Sequence, residues 1–546
     1  MADKEFNLLD ENWVRVITPD CEIREVSLTD AILHSHEYSD LCGELPTQNV
    51  AVMRLLLAVL HTVFSRVDKD GNPAPIDDED EAFERWKSLW DLKQFPEKPI
   101  RSYLETQREK FWLFHPERPF YQVPKKDFPK KCESNKEKLG TEYGAKKLNG
   151  QIYEGENKLR LFPAINGLNK NKLSYSEAAR WLISLHAFDD SSVKPMTKKG
   201  EKSAGIGWMG KIGPIAAKGN NLFETLMLNF VMLTDKGEPW KDEKPCWELE
   251  KAISEESVPI SVPDNLSELY TLQSRRILLK RDADGVVGYN LLSGSFFEKE
   301  NALIEQMTIW KPIPAKTKDK SVMGYEPLRH DSAKQMWREF PSTFLLGEHE
   351  KTHSPGIVKW VSEVKYDELI DAAVIVKFEI CSAQYDSKNA SITDVFSDSL
   401  SFHRRLLEEA EEGWRSAISD EIGNCDKLAT AVYYLAKDLD SAMGEKEGES
   451  YKAAKEQFYF RIDVPFRNWL ESIDSEWGTD EAEEDRECWR KTAQKIAVAL
   501  GEEMVANAGE DAFTGRIIKE EGKAAKFYSS SKALIDFRYN VRKIYS

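Results

Sequence analysis

Cysteine is sparse and scattered in this 546-residue chain: there are seven, and the nearest two, Cys21 and Cys42, stand 21 positions apart. No CxxC pair exists, so no disulfide framework is expected, and the thiols read as reduced and buried in a cytoplasmic setting. Positive charge is also short. The 76 Lys+Arg against 94 Asp+Glu leave a formal net charge of −18 and a pI near 5.2, which excludes a histone-like blanket binder of nucleic acid. No basic-then-apolar leader opens the sequence. The richest apolar stretch, residues 50–64, is short for a bilayer and carries Arg54 and His61, so no membrane partner is expected and the location expected is cytoplasmic. No repeat of 20–50 residues is visible, which argues against a solenoid.

What is present is material for packed cores: 41% hydrophobic residues, 11% aromatic, and 15 Trp, far from the composition of a disordered chain. Up to about residue 397, short apolar runs such as Trp13-Val14-Arg15-Val16-Ile17 and Ala372-Ala373-Val374-Ile375-Val376 alternate with helical stretches such as 44–66 and with turn-rich segments. This predicts a mixed α+β domain with long loops over 1–397. From about Leu400 the spacing becomes helical. Phe402, Leu406, Ala410, Trp414 and Ala417 recur every three or four residues, as do Leu428, Val432, Leu435 and Leu439, then Trp489, Ala493, Ile496 and Leu500. With Phe458-Ile462-Phe466-Trp469-Ile473 and Leu534-Phe537-Val541-Ile544, they predict a C-terminal bundle of four or five helices over 398–546.

Charge is unevenly spread. Residues 125–160 hold ten basic and six acidic side chains, 194–218 hold six lysines against Glu201, and 311–320 hold four lysines against Asp319. Residues 471–487 hold nine acidic side chains and Arg486. Such runs are ordinarily solvated surface, yet lysines in loops rich in Gly, Ser, Pro or Asn also suit contact with a phosphate backbone.

Two motifs carry a possible chemistry. His349-Glu350-Lys351-Thr352-His353 matches H-E-x-x-H, where two histidines one helical turn apart bind zinc, but Gly347 and Ser354-Pro355-Gly356 leave little room for a helix. Gly205-Ile206-Gly207-Trp208-Met209-Gly210 matches G-x-G-x-x-G, but the lysine-rich segment before it does not read as a strand. Its glycines would still admit close backbone approach, and Lys202 and Lys211 would favour a polyanion; a purely structural glycine loop is the competing reading. His330-Asp331 lacks the further ligands of a metal phosphohydrolase. A stand-alone metal-dependent hydrolase using His349, Glu350 and His353, or His330 and Asp331, is therefore the alternative, and no cofactor or catalytic residue is expected.

Other stretches resemble a known family in order along the chain. They are Phe6-Asn7-Leu8-Leu9-Asp10-Glu11-Asn12-Trp13-Val14, Val26-Ser27-Leu28-Thr29-Asp30-Ala31, His36-Glu37-Tyr38, Glu44-Leu45-Pro46-Thr47-Gln48 and His115-Pro116-Glu117-Arg118-Pro119-Phe120. Leu269-Tyr270-Thr271-Leu272-Gln273-Ser274-Arg275-Arg276, Pro327-Leu328-Arg329-His330, and Phe458-Tyr459-Phe460 before Pro465-Phe466 continue it. Together they resemble the large subunit (CasA) of the type I-E CRISPR surveillance complex, Cascade.

That resemblance implies a non-catalytic subunit working with crRNA-containing Cascade subunits, double-stranded target DNA and a helicase-nuclease. It would read the protospacer-adjacent motif and promote R-loop formation, while base pairing reads the target sequence. DNA contact would fall to a glycine loop (Gly205, Gly207, Gly210, with Lys202 and Lys211) and to a lysine finger in Ile313-Pro314-Ala315-Lys316-Thr317-Lys318-Asp319-Lys320, with Lys316 and Lys318 as candidates. A wedge hairpin in Tyr385-Asp386-Ser387-Lys388-Asn389-Ala390-Ser391-Ile392 would add Lys388, Asn389 and Ala390. Asn389 stands where the resemblance leads one to expect glutamine. Some relatives carry a cysteine cluster after the Ser-Arg-Arg segment; Leu278-Leu279-Lys280-Arg281-Asp282-Ala283-Asp284-Gly285 has none, so no zinc is expected. The lysine-rich loop between Lys125 and Lys158 occupies the place of a family loop that contacts the crRNA 5′ end.

Overall fold

A computed structural model describes residues 4–128, 131–133, 136–138, 140–154, 165, 167–191, 202–240, 242–250, 259–315, 322–345, 352–364, 375–408, 411–445, 450–474, 479–519 and 525–545. Contacts divide the chain into two units. The first comprises Met1–Lys334, Leu346–Asp371 and Val376–Ser399; the second comprises Gln335–Leu345, Ala372–Ile375 and Leu400–Ser546.

The first unit is mixed. Strands β1 (Val14–Ile17), β2 (Ile23–Val26) and β3 (Asp40–Leu41) form an antiparallel sheet in the order β2-β1-β3. Helix α1 (Pro46–Phe64) starts on Pro46, whose fixed φ suits a first helical position. It is apolar on every side, a composition that suits either a bilayer or a core. Here 94% of its apolar window is buried inside the protein, which makes it a core helix. Its one ionised side chain, Arg54, meets Glu305 through two hydrogen bonds of 2.9 Å, because a buried guanidinium needs a paired acceptor for both nitrogens.

Strand β4 (Thr141–Gly144) leads into the short helix α2 (Ala145–Leu148). Helix α3 (Tyr175–Phe188) opens on a capping box in which the Glu177 amide donates to Ser174 Oγ and the Ser174 amide donates to Glu177 Oε2. Helix α4 (Trp208–Lys211) follows the glycine loop, and β5 (Ile215–Lys218) follows α4. Strands β6 (Arg275–Arg281) and β7 (Val286–Ser293) pair antiparallel and add β4 at the far edge. β8 (Trp310–Pro314) and β9 (Val322–Pro327) form a hairpin. β10 (Ile375–Tyr385) and β11 (Ile392–His403) form a second, longer one, and β10 also pairs with β5, placing Lys377 opposite Lys218 and Ile380 opposite Ile215.

The second unit is mainly helical: α5 (Glu412–Met443), α6 (Ser450–Ser472), α7 (Thr479–Asn507) and α8 (Ser530–Ile544), with a small hairpin of β12 (Arg516–Ile518) and β13 (Lys526–Tyr528). Gly444 ends α5 in the left-handed region, φ +85°, where a side chain would be strained. The aromatic residues form its core: Trp337 stacks on Phe466 at 4.1 Å between ring centres, and Trp469 stacks on Trp489 at 5.1 Å. The buried Glu421 carboxylate accepts from Arg486 and Arg490 at 2.8 Å each, so the one arginine of the acidic run is committed to an internal pair.

One stretch departs from its periodicity. The spacing of Phe402, Leu406 and Trp414 predicts a single helix, but Phe402 is the penultimate residue of β11, Leu406 lies in a 3-10 turn, and the helix starts at Glu412. Side chains four apart can bury successively from a strand end, a turn and a helix start, because burial rather than helical continuity is what the spacing records. Fold class is as expected: mixed α+β, with a C-terminal helical region. Cys21, Cys42, Cys246, Cys381, Cys425 and Cys488 are free thiols; Cys246, Cys381 and Cys425 are buried as expected, whereas Cys21 and Cys488 are exposed.

Candidate nucleic-acid interface

Residues 188–191, which leave the C-terminus of α3, organise the region. Phe188 O accepts the Tyr385 hydroxyl at 2.6 Å. Asp189 O accepts the Gly207 amide at 2.9 Å. Asp190 Oδ2 accepts Lys147 Nζ at 2.9 Å and also the Tyr153 hydroxyl. Ser191 donates its amide to Asn389 O at 2.8 Å, and its hydroxyl reaches Asn389 O at 2.7 Å and Lys388 O at 3.0 Å. The glycine loop and the β10–β11 hairpin, nearly two hundred residues apart in the chain, are therefore fastened to the same four residues.

Arg275 locks the arrangement. Fully buried, it donates Nε to Asp189 Oδ2 at 2.5 Å, and its Nη2 reaches Asp190 O at 3.0 Å and Gly205 O at 2.7 Å. Such a planar fork is what arginine supplies and lysine does not. The Ala204 amide donates to Ser293 Oγ at 3.0 Å, which pins the start of the loop to the end of β7. Beyond the loop, Trp208 Nε1 donates to Glu305 Oε2 at 2.7 Å, joining α4 to the buried Arg54 pair.

The three glycines do different work. Gly205 has φ +67° and open space where a Cβ would point, so its requirement is conformational. A Cβ on Gly207 would lie 2.3 Å from Ala187 O, and one on Gly210 would lie 2.2 Å from the Tyr385 hydroxyl oxygen. Those two admit the close approach of α3 and of the hairpin. The missing side chains of Gly207 and Gly210 are thus used in packing, and Gly205 alone of the three faces open space.

Lys202 is exposed, whereas Lys211 is only partly so. Burial, with the Arg275 charge adding to it, lowers the Lys211 ammonium to about 8. At the hairpin tip, Asp386 Oδ1 accepts the amides of Lys388 at 3.0 Å and Ala390 at 2.8 Å, an Asx turn that shapes the bend. Asn389 sits at φ +54°, a conformation asparagine tolerates better than most residues. Its Oδ1 lies 3.5 Å from Arg329 Nη1. The Lys388 side chain is exposed, and so is Arg329, which belongs to the Pro327-Leu328-Arg329-His330 segment. Lys316 and Lys318 lie outside the described residues, between the ends of β8 and β9.

His353, the last residue of the metal-like motif, is not helical. His349 and Glu350 lie outside the described residues, and His353 is in an extended bridge, exchanging backbone hydrogen bonds of 2.9 Å with Trp310. Its ring packs edge-on against Tyr325, with 4.2 Å between ring centres. Among the described residues no three His, Cys, Asp or Glu side chains gather as a metal-binding group.

Tyr385 and Arg275 fall within segments singled out in the sequence, but Asp189, Asp190 and Ser191, which hold the two loops, lie in none of them. One signal was available. Two aspartates directly after the last turn of α3 face the negative end of the helix dipole, an unfavourable place unless cations meet them.

The sequence matches the family described as CRISPR-associated protein Cse1 over residues 7–500. It is 26% identical, over 96% of this chain and 99% of the relative, to the CRISPR-associated protein CasA/Cse1 of Thermus thermophilus. The fold is similar to the crystal structure of Thermobifida fusca Cse1, with a TM-score of 0.81 and 29% identity over 99% of this chain and 98% of that one. It is also similar to a chain of a structure described as a CRISPR RNA-guided surveillance complex, with a TM-score of 0.71 and 16% identity over 99% of this chain and 100% of that one. A match over most of the length, in sequence and in fold, places this chain in the CRISPR-associated protein Cse1 family.

Proposed function

We propose that this chain is the non-catalytic large subunit of a crRNA-guided surveillance complex, that it reads the protospacer-adjacent motif in duplex DNA, and that it promotes strand opening. Membership of the Cse1 family supports the first part, as does the fold shared with a chain from a surveillance complex. The observation that carries the rest is the shared anchorage on residues 188–191 of a glycine loop and a hairpin tip, with Gly205, Lys388 and Arg329 at the surface beside it.

The chemistry suits a duplex. A short backbone loop can approach a groove edge, while cations beside it meet phosphate without reading sequence. Base pairing with a guide RNA reads the target, so the protein needs to read only a short motif. In this reading the first unit does the DNA work, with Lys202 and Lys211 flanking the loop, Lys316 or Lys318 as the finger, and Lys388, Asn389 and Ala390 at the wedge. The remaining partners are the crRNA-containing subunits and a helicase-nuclease recruited after opening, all in the cytoplasm. The hydrolase reading is not favoured, since His353 lies in an extended bridge.

The reading is tested by assembling the guide-RNA complex with and without this chain and measuring binding to duplexes that differ only in the adjacent motif. Motif-dependent binding should require the chain. Equal motif dependence without it would overturn the proposal.

A further inference from the structure

Asp190 is fully buried, and its carboxylate meets Lys147 of α2, at 2.9 Å, and the Tyr153 hydroxyl. The three side chains also touch one another in a ring of contacts. Lys147 Nζ lies 3.5 Å from the centre of the Tyr153 ring, a cation–π contact added to the ion pair. Tyr153 itself is held at φ +46° with its amide donating to Asn149 O at 2.7 Å. α2 follows β4 directly, β4 pairs with β7 through Gly144 and Gly288, and Ser293 at the end of β7 holds the Ala204 amide. The α2 segment thus reaches the glycine loop by two routes: through the sheet, and through Asp190 to the 188–191 strip.

A buried ion pair contributes little net stability, because desolvation offsets most of its attraction; its value lies in fixing geometry. From this placement we infer that Asp190, with Lys147 and Tyr153, is a positioning residue that sets the spacing of the glycine loop and the hairpin, so that it governs discrimination between motifs rather than overall affinity for DNA. This rests on the DNA-reading function proposed above. The residues on either side of Asp190 hold the two reading elements, so a shift of its side chain displaces both at once.

The test uses the assembled complex carrying Tyr153→Phe or Lys147→Met. The first keeps the ring beneath Lys147 and removes one hydrogen bond; the second removes the charge and keeps the length of the side chain. Each is measured for binding to a motif-bearing duplex and to one with the motif scrambled, and for thermal unfolding of the isolated chain. The expected result is unchanged binding to the scrambled duplex and a loss of motif preference of about five- to tenfold, the scale of a modest coupling between sites. R-loop rates should also be non-additive when Tyr153→Phe is combined with Lys388→Gly and Asn389→Gly.

Unchanged motif preference in both single variants would overturn the inference, as would equal losses on motif and scrambled duplexes that follow the drop in thermal stability. If the hairpin variant alone leaves opening unaffected while Tyr153→Phe lowers motif preference, the hairpin's assigned role fails and the positioning role stands through the glycine loop.

Discussion

Arg275 holds the backbone of Gly205 from beneath: its Nη2 donates to Gly205 O at 2.7 Å while its Nε is fixed by Asp189 Oδ2 at 2.5 Å. The open face of the glycine loop therefore rests on a buried guanidinium, and the loop's conformation depends on a side chain that no ligand needs to touch.

Arg275→Lys keeps the charge near Asp189 but cannot span both acceptors. It should cost about 1–3 kcal/mol of stability, the scale for leaving buried acceptors unpaired. Hydrogen exchange should quicken at the Gly207 amide, which donates to Asp189 O. Unchanged exchange there would show that the loop is held without the guanidinium.

The glycines should separate into two classes. Gly207→Ala forces a Cβ against Ala187 O and should lower stability by about 1–3 kcal/mol through overpacking. Gly205→Asn retains a residue that accepts positive φ in open space, and should leave the unfolding temperature nearly unchanged while weakening motif-dependent duplex binding. Thermal unfolding and duplex titration of the two variants check both halves.

Lys211 gives the interface a pH signature. Its ammonium, lowered to about 8 by burial, is lost as pH rises through that value. Motif-dependent binding should therefore fall between about pH 7.5 and 9, while Lys211→Arg, charged throughout, should flatten that fall. Identical pH profiles for the two proteins would remove Lys211 from the interface.

A second pH effect lies in the core of the first unit. Burial raises Glu243 to about 7 and lowers His61 to about 3, so their 3.8 Å contact joins a carboxyl to a neutral imidazole rather than forming an ion pair. Glu243 holds its proton more tightly folded than unfolded, so its contribution falls as pH rises from about 4.5 to 7, by on the order of 3 kcal/mol. The His61 contribution has the opposite sign, being lost as pH falls from about 6.5 to 3. Where the windows overlap they oppose each other. Glu243→Gln still offers an oxygen to the Ser267 amide, and its stability relative to the parent should rise across pH 4.5–7 in denaturant titrations.

Much of the architecture was legible because helices broadcast a period. The α1 core helix and the helices α5 to α8 each bury one repeating set of apolar side chains, or in α1 all of them. The stretch from Phe402 to Trp414 misled because three different elements share that spacing. At the site, the glycine loop and the hairpin were visible through family resemblance, but their common anchor was not. Phe188, Lys388 and Asn389 act there through carbonyl oxygens, which every residue possesses, so side-chain identity carries no trace of the role. Gly207 shows a related limit: a glycine records that something comes close, and the sequence does not say that the backbone of α3 is among it.

The Lys388–Asn389 tip, fixed to Ser191, is proposed to open DNA rather than merely hold it. The most direct measurement is the rate of R-loop formation by the complex carrying Lys388→Gly with Asn389→Gly, on a fully paired target and on one pre-melted next to the motif. A tip that inserts offsets part of an unstacking cost of a few kcal/mol per step, so the variant should be slow on paired DNA and close to the parent on pre-melted DNA. Equal defects on the two targets would contradict the account and reduce the tip to a phosphate contact.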